Sequence, residues 1–111
     1  MDCIKEFDQA DVQELINRYD IKDMSLVPAP WELILKCDNS ADWEGNYGEL
    51  FIKNGVLYEN HCSHCSCYGC EDQWDPESVT LSAIARRPSG FEGVPIEEVT
   101  ALARAKGYTG E

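Results

Sequence analysis

Six side chains that can ligate a soft metal ion lie within one stretch of ten residues. They are His61, Cys62, His64, Cys65, Cys67 and Cys70. Cysteine thiolates and histidine nitrogens form closed four-ligand zinc sites, and thiolates also select copper(I) or iron–sulfur clusters over magnesium or calcium. Cys62-x-x-Cys65 and Cys67-x-x-Cys70 each have the spacing at which two thiolates hold one tetrahedral ion. The stretch therefore predicts a bound metal, with Zn²⁺ as the expected ion.

The ligand set has more than one arrangement. Four thiolates are enough for one tetrahedral site, and they would come from Cys62, Cys65, Cys67 and Cys70. Because one residue separates Cys65 from Cys67, a chain that uses both must wrap tightly, so His61 or His64 is an alternative ligand. The expected role is structural, since in a small domain the free energy of zinc binding becomes free energy of folding.

Other chemistry at the same residues is less consistent with their surroundings. A Cys-x-x-Cys pair can act as a dithiol redox couple, but the βαβ pattern of thioredoxin-like proteins is not visible. Cys65 and Cys67 could hold copper(I) in a metal carrier. A catalytic zinc ion would need an open position and usually a carboxylate base. Glu71, Asp72 and Asp75 are close in sequence, yet they suit surface positions and helix caps equally well.

The net charge of −12 is unevenly distributed along the 111 residues. Residues 1–80 contain 17 acidic and 5 basic side chains, whereas residues 81–111 contain four of each. Such a negative field repels nucleic acid and anionic membranes, and it attracts a basic protein surface. The charge therefore argues against direct nucleic-acid or membrane binding and favours a basic protein as partner.

Length and the absence of targeting signals bound the class of protein. The length fits a single domain spanning 1–111. The chain has no secretory-type leader and no apolar run that could span a membrane, so we expect a soluble, cytoplasmic protein. Thiols stay reduced in that compartment, which favours metal over disulfides. Cys3 and Cys37 lie outside the cluster, and Cys3 falls in an N-terminus that we expect to be frayed.

The N-terminal half predicts one helix and three strands. Asp8 is the expected N-cap of a helix with an apolar stripe. The strands are predicted at 32–38, 49–53 and 56–61, and the last two flank the hairpin signal Asn54-Gly55. In an antiparallel meander the first and third strands end at the same edge. Cys37 would then approach His61 and Cys62, as an extra ligand or as a core thiol.

The C-terminal part predicts two further helices. One is expected to start at the N-cap Asp75 with Pro76 at its first position, and to run to about Arg87. The last begins near Pro95 and stops at Gly107. The predicted fold class is α+β: a small three-stranded antiparallel sheet with helices on one face and a Cys/His metal-binding loop.

The segment from His64 to Gly69, followed by Glu71 and Trp74, resembles a motif of small uncharacterised bacteriophage and prophage proteins that contain the sequence HCSCYG. The likeness covers about fifteen residues, and an apolar residue often stands in that family where this chain has Cys70. No activity comes with the resemblance. It implies a phage or prophage origin, in which small acidic proteins often inhibit host machinery.

These observations predict a non-enzymatic, zinc-stabilised acidic binding protein that inhibits a host protein through its negative surface. The expected target is a defence protein or another nucleic-acid-binding protein, because its groove is basic. One alternative is a metal-handling or metal-dependent enzyme that uses the Cys/His cluster directly. Another is a small-molecule sponge built around Trp31, Trp43 and Trp74, although such residues more often belong to the core or its rim.

Overall fold

A computed structural model describes residues 2–39, 45–64 and 69–111. In these residues the chain forms β1 (Asp2–Ile4), α1 (Gln9–Tyr19), β2 (Leu33–Asp38), β3 (Gly45–Lys53), β4 (Val56–His64), β5 (Glu77–Ser78), α2 (Leu81–Ala85) and α3 (Ile96–Ala105). Two short 3₁₀ turns, Met24–Leu26 and Pro30–Glu32, connect α1 to β2. The strands form one antiparallel sheet in the order β1-β2-β3-β4-β5.

The hairpin predicted at Asn54-Gly55 is confirmed. Its first pairs are Lys53 with Val56, Ile52 with Leu57, and Phe51 with Tyr58. Asn54 and Gly55 both have positive φ, at 54° and 78°, which these two residue types adopt at little cost. The strands are longer than predicted, because pairing continues as far as Gly45 opposite His64.

Helix α1 begins as the sequence predicts. The Asp8 side chain accepts a hydrogen bond from the backbone N–H of Asp11, and the Asp11 side chain accepts one from the N–H of Asp8. This reciprocal capping satisfies two backbone donors that the first helical turn would otherwise leave unpaired. Val12, Leu15 and Tyr19, spaced along one side of the helix, are buried.

The prediction of three strands with helices on one face is wrong in both parts. β1 and β5 extend the sheet at its two edges. Helix α1 packs on the face that carries Phe51, whereas α2 and α3 pack on the face that carries Leu50. Successive strand residues point to opposite faces, so these two neighbours lie in different cores. The continuous burial of Leu33–Cys37 in β2 has the same cause, since a strand covered on both faces is apolar on both.

The helix predicted from Asp75 to Arg87 is also wrong in its first half. The N–H of Asp75 donates to the side chain of Asn60, and Glu77–Ser78 pairs with β4 as β5. These hydrogen bonds to the sheet edge hold the segment extended. Helix α2 starts only after Thr80, whose hydroxyl caps it by accepting from the N–H of Ala83.

The last helix is confirmed in its position. Pro95 is its N-cap, Val99 and Ala103 are its buried residues, and Gly107 follows with φ of 93°. Helices α1 and α3 contain only 11 and 10 residues. Over the described ranges, no helix has the length and apolar character needed to cross a membrane.

Candidate functional site

The cysteine loop starts at the end of β4, where Cys62 points into the core beneath α1. Cys62 and Cys70 are buried beside Leu15 and Tyr19, and their sulfurs form a disulfide. The two ends of the predicted metal-binding loop therefore hold each other, which corrects that part of the predicted fold. The physical reason is that burial under α1 brings two thiols eight residues apart into contact.

The other two cysteines of the predicted metal site, Cys65 and Cys67, lie outside the described residues. Within the ranges 2–39, 45–64 and 69–111, no three or more His, Cys, Asp or Glu side chains are placed to hold a metal ion. The Zn²⁺ expectation stays a prediction, and it would require Cys62 and Cys70 in their reduced form or a ligand set without them.

The Gln73 side chain fixes the far end of the cysteine loop. Its Oε1 accepts from the backbone N–H of Ser63 at 3.1 Å, and its Nε2 donates to the Ser63 carbonyl at 2.8 Å. The same nitrogen donates to the Gly69 carbonyl at 3.0 Å. The amide thus takes the place of a neighbouring strand at the exposed edge of β4, where backbone groups need partners. Gln73 belongs to none of the sequence motifs described above.

The two histidines point to opposite faces of the sheet, because strand side chains alternate. His61 is opposite Gly48 in the sheet, and its ring contacts Phe91 on the face covered by α2 and α3. His64 stacks on Tyr47 with ring centroids 4.9 Å apart. The alternation of strand residues places Cys62 on the opposite face from His61, which is why adjacency in sequence does not become a shared site.

Cys37 does align with His61, as the predicted meander requires. The ladder places Cys37, Gly48 and His61 in one row across β2, β3 and β4. The Cys37 sulfur is, however, bonded to Cys3, so it is not a free thiol. The expectation of a frayed N-terminus at Cys3 is wrong, because β1 pairs with β2.

A charged network surrounds His61 on this face. Nδ1 of His61 lies 2.7 Å from Glu92 Oε1, and Nε2 lies 2.7 Å from Glu59 Oε1. Arg87 donates two hydrogen bonds of 2.7 Å to Glu59, one to each carboxylate oxygen. Asn39 donates to Glu92 at 2.8 Å. The network connects four parts of the fold: the end of β2, β4, the turn after α2 and the loop before α3.

The hydrogen bonds of this network shift the pKa values of His61 and Glu59 and so determine their charge. Hydrogen bonds to Glu59 and then Glu92 raise the pKa of His61 to about 9. At neutral pH the ring is an imidazolium, and both nitrogens donate. Burial raises the pKa of Glu59, but the Arg87 and His61 hydrogen bonds outweigh it and hold this pKa at about 2. His61 therefore acts as a cation that joins two carboxylates, and both nitrogens are occupied.

Glu49 is a fully buried acid on the opposite face, under α1. Its Oε1 accepts from the Tyr19 hydroxyl at 2.6 Å and from Asn60 at 3.4 Å. Its Oε2 lies 3.6 Å from the Arg18 guanidinium and makes no hydrogen bond within the described structure. Burial raises the pKa of Glu49 to about 7, although Tyr19, Arg18 and Asn60 act against it. The available signal in the sequence was a charged residue directly before the apolar residues Leu50 and Phe51 of β3.

Six exposed acidic residues lie in or beside two surface cavities, and we call this set the acidic edge. It consists of Asp20, Asp23, Glu71, Asp72, Asp75 and Glu77. Three of them line a cavity of about 260 Å³ with Tyr19 and Trp74: Asp20, Asp23 and Asp72. Asp75 and Glu77 line a second cavity of about 250 Å³ with Glu59. The segment that contains Asp72 and Asp75 joins the two cavities, so the acidic edge is continuous.

Few cations balance the acidic edge. Lys22 pairs with Asp20 at 3.0 Å. Within the described ranges, the four carboxylates Glu71, Asp72, Asp75 and Glu77 make no ion pair. All four residues are exposed. They can therefore contribute fully to the attraction of a basic partner.

The two tryptophans that the structure describes, Trp31 and Trp74, lie in different surroundings. Trp74 packs between Phe51 and Tyr19 and belongs to the core beneath α1. Trp31 is 75% exposed in the turn before β2. Trp43 lies outside the described residues. Two separate positions give no support to an aromatic small-molecule site.

Comparisons with models of protein families, with curated proteins and with solved structures give no match to this chain. The phage resemblance of the HCSCYG stretch thus gains no further support from them. The site must be interpreted from its own geometry: a disulfide-closed loop, an acidic edge beside it, and a charged network on the other face.

Proposed function

We propose that this protein is a non-enzymatic binding module that uses its acidic edge to bind a basic protein surface. The observation that carries the proposal is the separation of charge between the layers of the fold. Residues 81–111, which have balanced charge, form α2 and α3 and cover one face of the sheet. The excess negative charge consequently belongs to residues 1–80, which include the strands of the sheet, α1 and the acidic edge.

The surroundings of the acidic edge support a binding role. The Cys62–Cys70 disulfide and the Gln73 hydrogen bonds hold the segment that leads into it. The side chains of Trp74 and Tyr19 form a firm base under Asp20 and Asp72. A partner that meets a preorganised surface loses less conformational entropy on binding. Fixed carboxylates therefore favour recognition over mere solubility.

The resemblance to phage proteins indicates which partner to test. A host protein that itself binds nucleic acid has the basic surface that fits, and an acidic ligand there would compete with nucleic acid. We propose inhibition of such a host protein as the biological role. This proposed role is supported by charge complementarity with a basic surface and by the HCSCYG motif.

A charge-reversal experiment tests the binding role. A lysine-rich histone serves as the basic probe, and its dissociation constant is measured for the wild type and for the double variant Glu71→Lys/Asp75→Lys. The matched control is Glu97→Lys/Glu111→Lys, which makes the same change in net charge at exposed residues of the balanced layer. We expect the first variant to bind roughly tenfold more weakly than the control. Affinity of the wild type should also fall as salt rises from about 50 to 500 mM.

Two results would contradict the proposal. Equal weakening by the two double variants would mean that only net charge matters and that the acidic edge has no special role. Affinity indifferent to salt would mean that the interface is not electrostatic. Circular dichroism spectra of all variants check that the fold is retained.

A further inference from the structure

The N-terminal strand β1 is attached to the sheet by little besides its disulfide. β1 contains three residues and pairs with β2 alone, with Cys3 directly opposite Cys37. Ile4 is 43% exposed, so it buries only part of its apolar surface. The ion pair between Lys5 and Glu98 is exposed to solvent, and such pairs contribute little. Phe7 is the first residue after β1 that packs into a core.

β1 nevertheless covers groups that would otherwise be open to solvent. Ile4 lines a small cavity with Glu14, Arg18, Lys36 and Asp38. Lys36 is only 4% exposed and pairs with Glu14 at 2.8 Å. Departure of Ile4 would open one wall of this cavity. It would expose two cations in a protein whose surface is otherwise strongly acidic.

The backbone direction shows which groups of β2 depend on β1. The N–H of Asn39 donates to the Asn46 carbonyl of β3. In an antiparallel ladder the hydrogen-bonding residues alternate, so the backbone of Cys37 also faces β3. The backbone groups of Lys36 and Asp38 face β1 instead. An uncovered edge with free N–H and C=O groups is a template for pairing with another chain.

We propose that the Cys3–Cys37 disulfide is a reducible latch that closes this edge of the sheet. A dithiol such as dithiothreitol attacks the sulfur of Cys3, a residue that is only partly buried, forms a mixed disulfide with it and releases the Cys37 thiolate, which takes up a proton. The second thiol of the reagent then closes its own disulfide and frees Cys3 as a thiol. β1 (Asp2–Ile4) leaves the sheet, and Lys36 and Asp38 lose their backbone partners on it. A reducing compartment keeps the latch open and an oxidising one keeps it closed.

Residue-resolved amide hydrogen exchange tests the latch. The oxidised wild type is compared with Cys3→Ser, which removes the latch and leaves Cys62–Cys70 intact. We expect the amides of Lys36 and Asp38 to exchange about tenfold faster or more in the variant. The Cys37 amide, which faces β3, should keep its protection and serves as an internal control. Treating the wild type with dithiothreitol should accelerate the same two amides.

The design separates the latch from other effects of reduction. In Cys3→Ser, added dithiothreitol should produce no further acceleration at Lys36 and Asp38, because their cover is already gone. Unchanged protection of these amides in both the variant and the reduced wild type would overturn the proposal. Equal acceleration at Cys37 would overturn it as well, since that would report unfolding of β2 rather than release of β1. If Cys3→Ser does not fold, Cys3→Val/Cys37→Val provides the unlatched state with apolar packing retained.

Discussion

The side chain of Glu92 fills the space that Gly48 leaves by having no Cβ. A Cβ built on Gly48 would lie 2.5 Å from Glu92 Cγ, which is closer than two non-bonded carbon atoms can approach. Gly48 is also the ladder partner of His61, to which Glu92 is hydrogen-bonded. The missing side chain in β3 is therefore what lets a carboxylate from the loop before α3 reach the imidazolium on β4.

Gly48→Ala should displace Glu92 and break its contact with His61. We expect a loss of about 1–3 kcal/mol in the free energy of unfolding, the usual range for overpacking a close contact. Denaturant unfolding of Gly48→Ala, Glu92→Ala and the double variant measures the effect. In the Glu92→Ala background the Gly48→Ala change should cost much less, since the clashing atoms are gone. Additive costs would contradict the assigned contact.

The pKa of His61 should be about 9 when measured by NMR titration. The folded pKa is above the unfolded value of 6.5, so this group's stabilisation is fully present below pH 6.5. It is lost as pH rises from 6.5 to 9. Glu92→Gln should lower the pKa of His61, because one of the two carboxylates that hold the proton becomes neutral. A wild-type inflection near 6.5 would mean that the network does not form.

Glu49 should make stability fall as pH rises from about 4.5 to about 7. Its folded pKa of about 7 lies above the ordinary value of 4.5, so folding favours the protonated form. The stabilisation is complete below pH 4.5 and is lost as pH rises to 7. Glu49→Gln removes this titration, and at pH 8 we expect it to exceed the wild type in stability by roughly 1–3 kcal/mol.

Urea unfolding at pH 5 and pH 8 measures this difference. Tyr19→Phe is the complementary variant, because it removes the 2.6 Å hydrogen bond to Glu49. Its cost should be larger at pH 8, where the buried carboxylate has lost its strongest donor. A Glu49→Gln effect that is the same at both pH values would show that Glu49 does not titrate in this range.

Gln73→Ala should destabilise the protein by about 1 kcal/mol, the usual value for hydrogen bonds that water can partly replace. The variant leaves both backbone groups of Ser63 without their amide partner. The matched control is Gln13→Ala on α1, where the side chain bonds only to Asn17 on the same exposed helix surface. We expect a few tenths of a kcal/mol or less there. Equal costs in thermal unfolding would show that the Gln73 amide is not holding the loop.

Thiol counting distinguishes disulfides from bound metal. Four of the six cysteines are paired as Cys3–Cys37 and Cys62–Cys70, so oxidised, unfolded protein should react with iodoacetamide at Cys65 and Cys67 at most. Peptide mass spectrometry before and after reduction identifies the sites. Labelling of Cys62 and Cys70 without reduction would contradict the disulfide.

Native mass spectrometry of the reduced protein tests the zinc prediction, which expects about one ion per chain, released by strong chelation.

The sequence was sufficient wherever a few adjacent residues decide the structure. Asp8 and Asp11 mark the start of α1 because the reciprocal hydrogen bonds span a single turn. Asn54 and Gly55 mark the hairpin because the turn needs positive φ at both positions. The apolar spacing in α3 predicts its buried side, since the helical period is fixed. In each case the cause and its effect lie within one turn or one helix.

Only the tertiary structure decided which chemical groups meet. Cys3 pairs with Cys37 across 34 residues, and His61 meets Glu92 across 31. Of the described residues in the predicted metal cluster, His61 lies on the opposite face of the sheet from its neighbour Cys62, since strand side chains alternate. β5 forms at a sheet edge that offers it hydrogen bonds, against a local helix signal at Asp75-Pro76. Local residue preferences determine where helices and turns of this protein begin. Contacts between residues far apart in sequence depend on how those helices and strands pack, and no short sequence pattern contains that information.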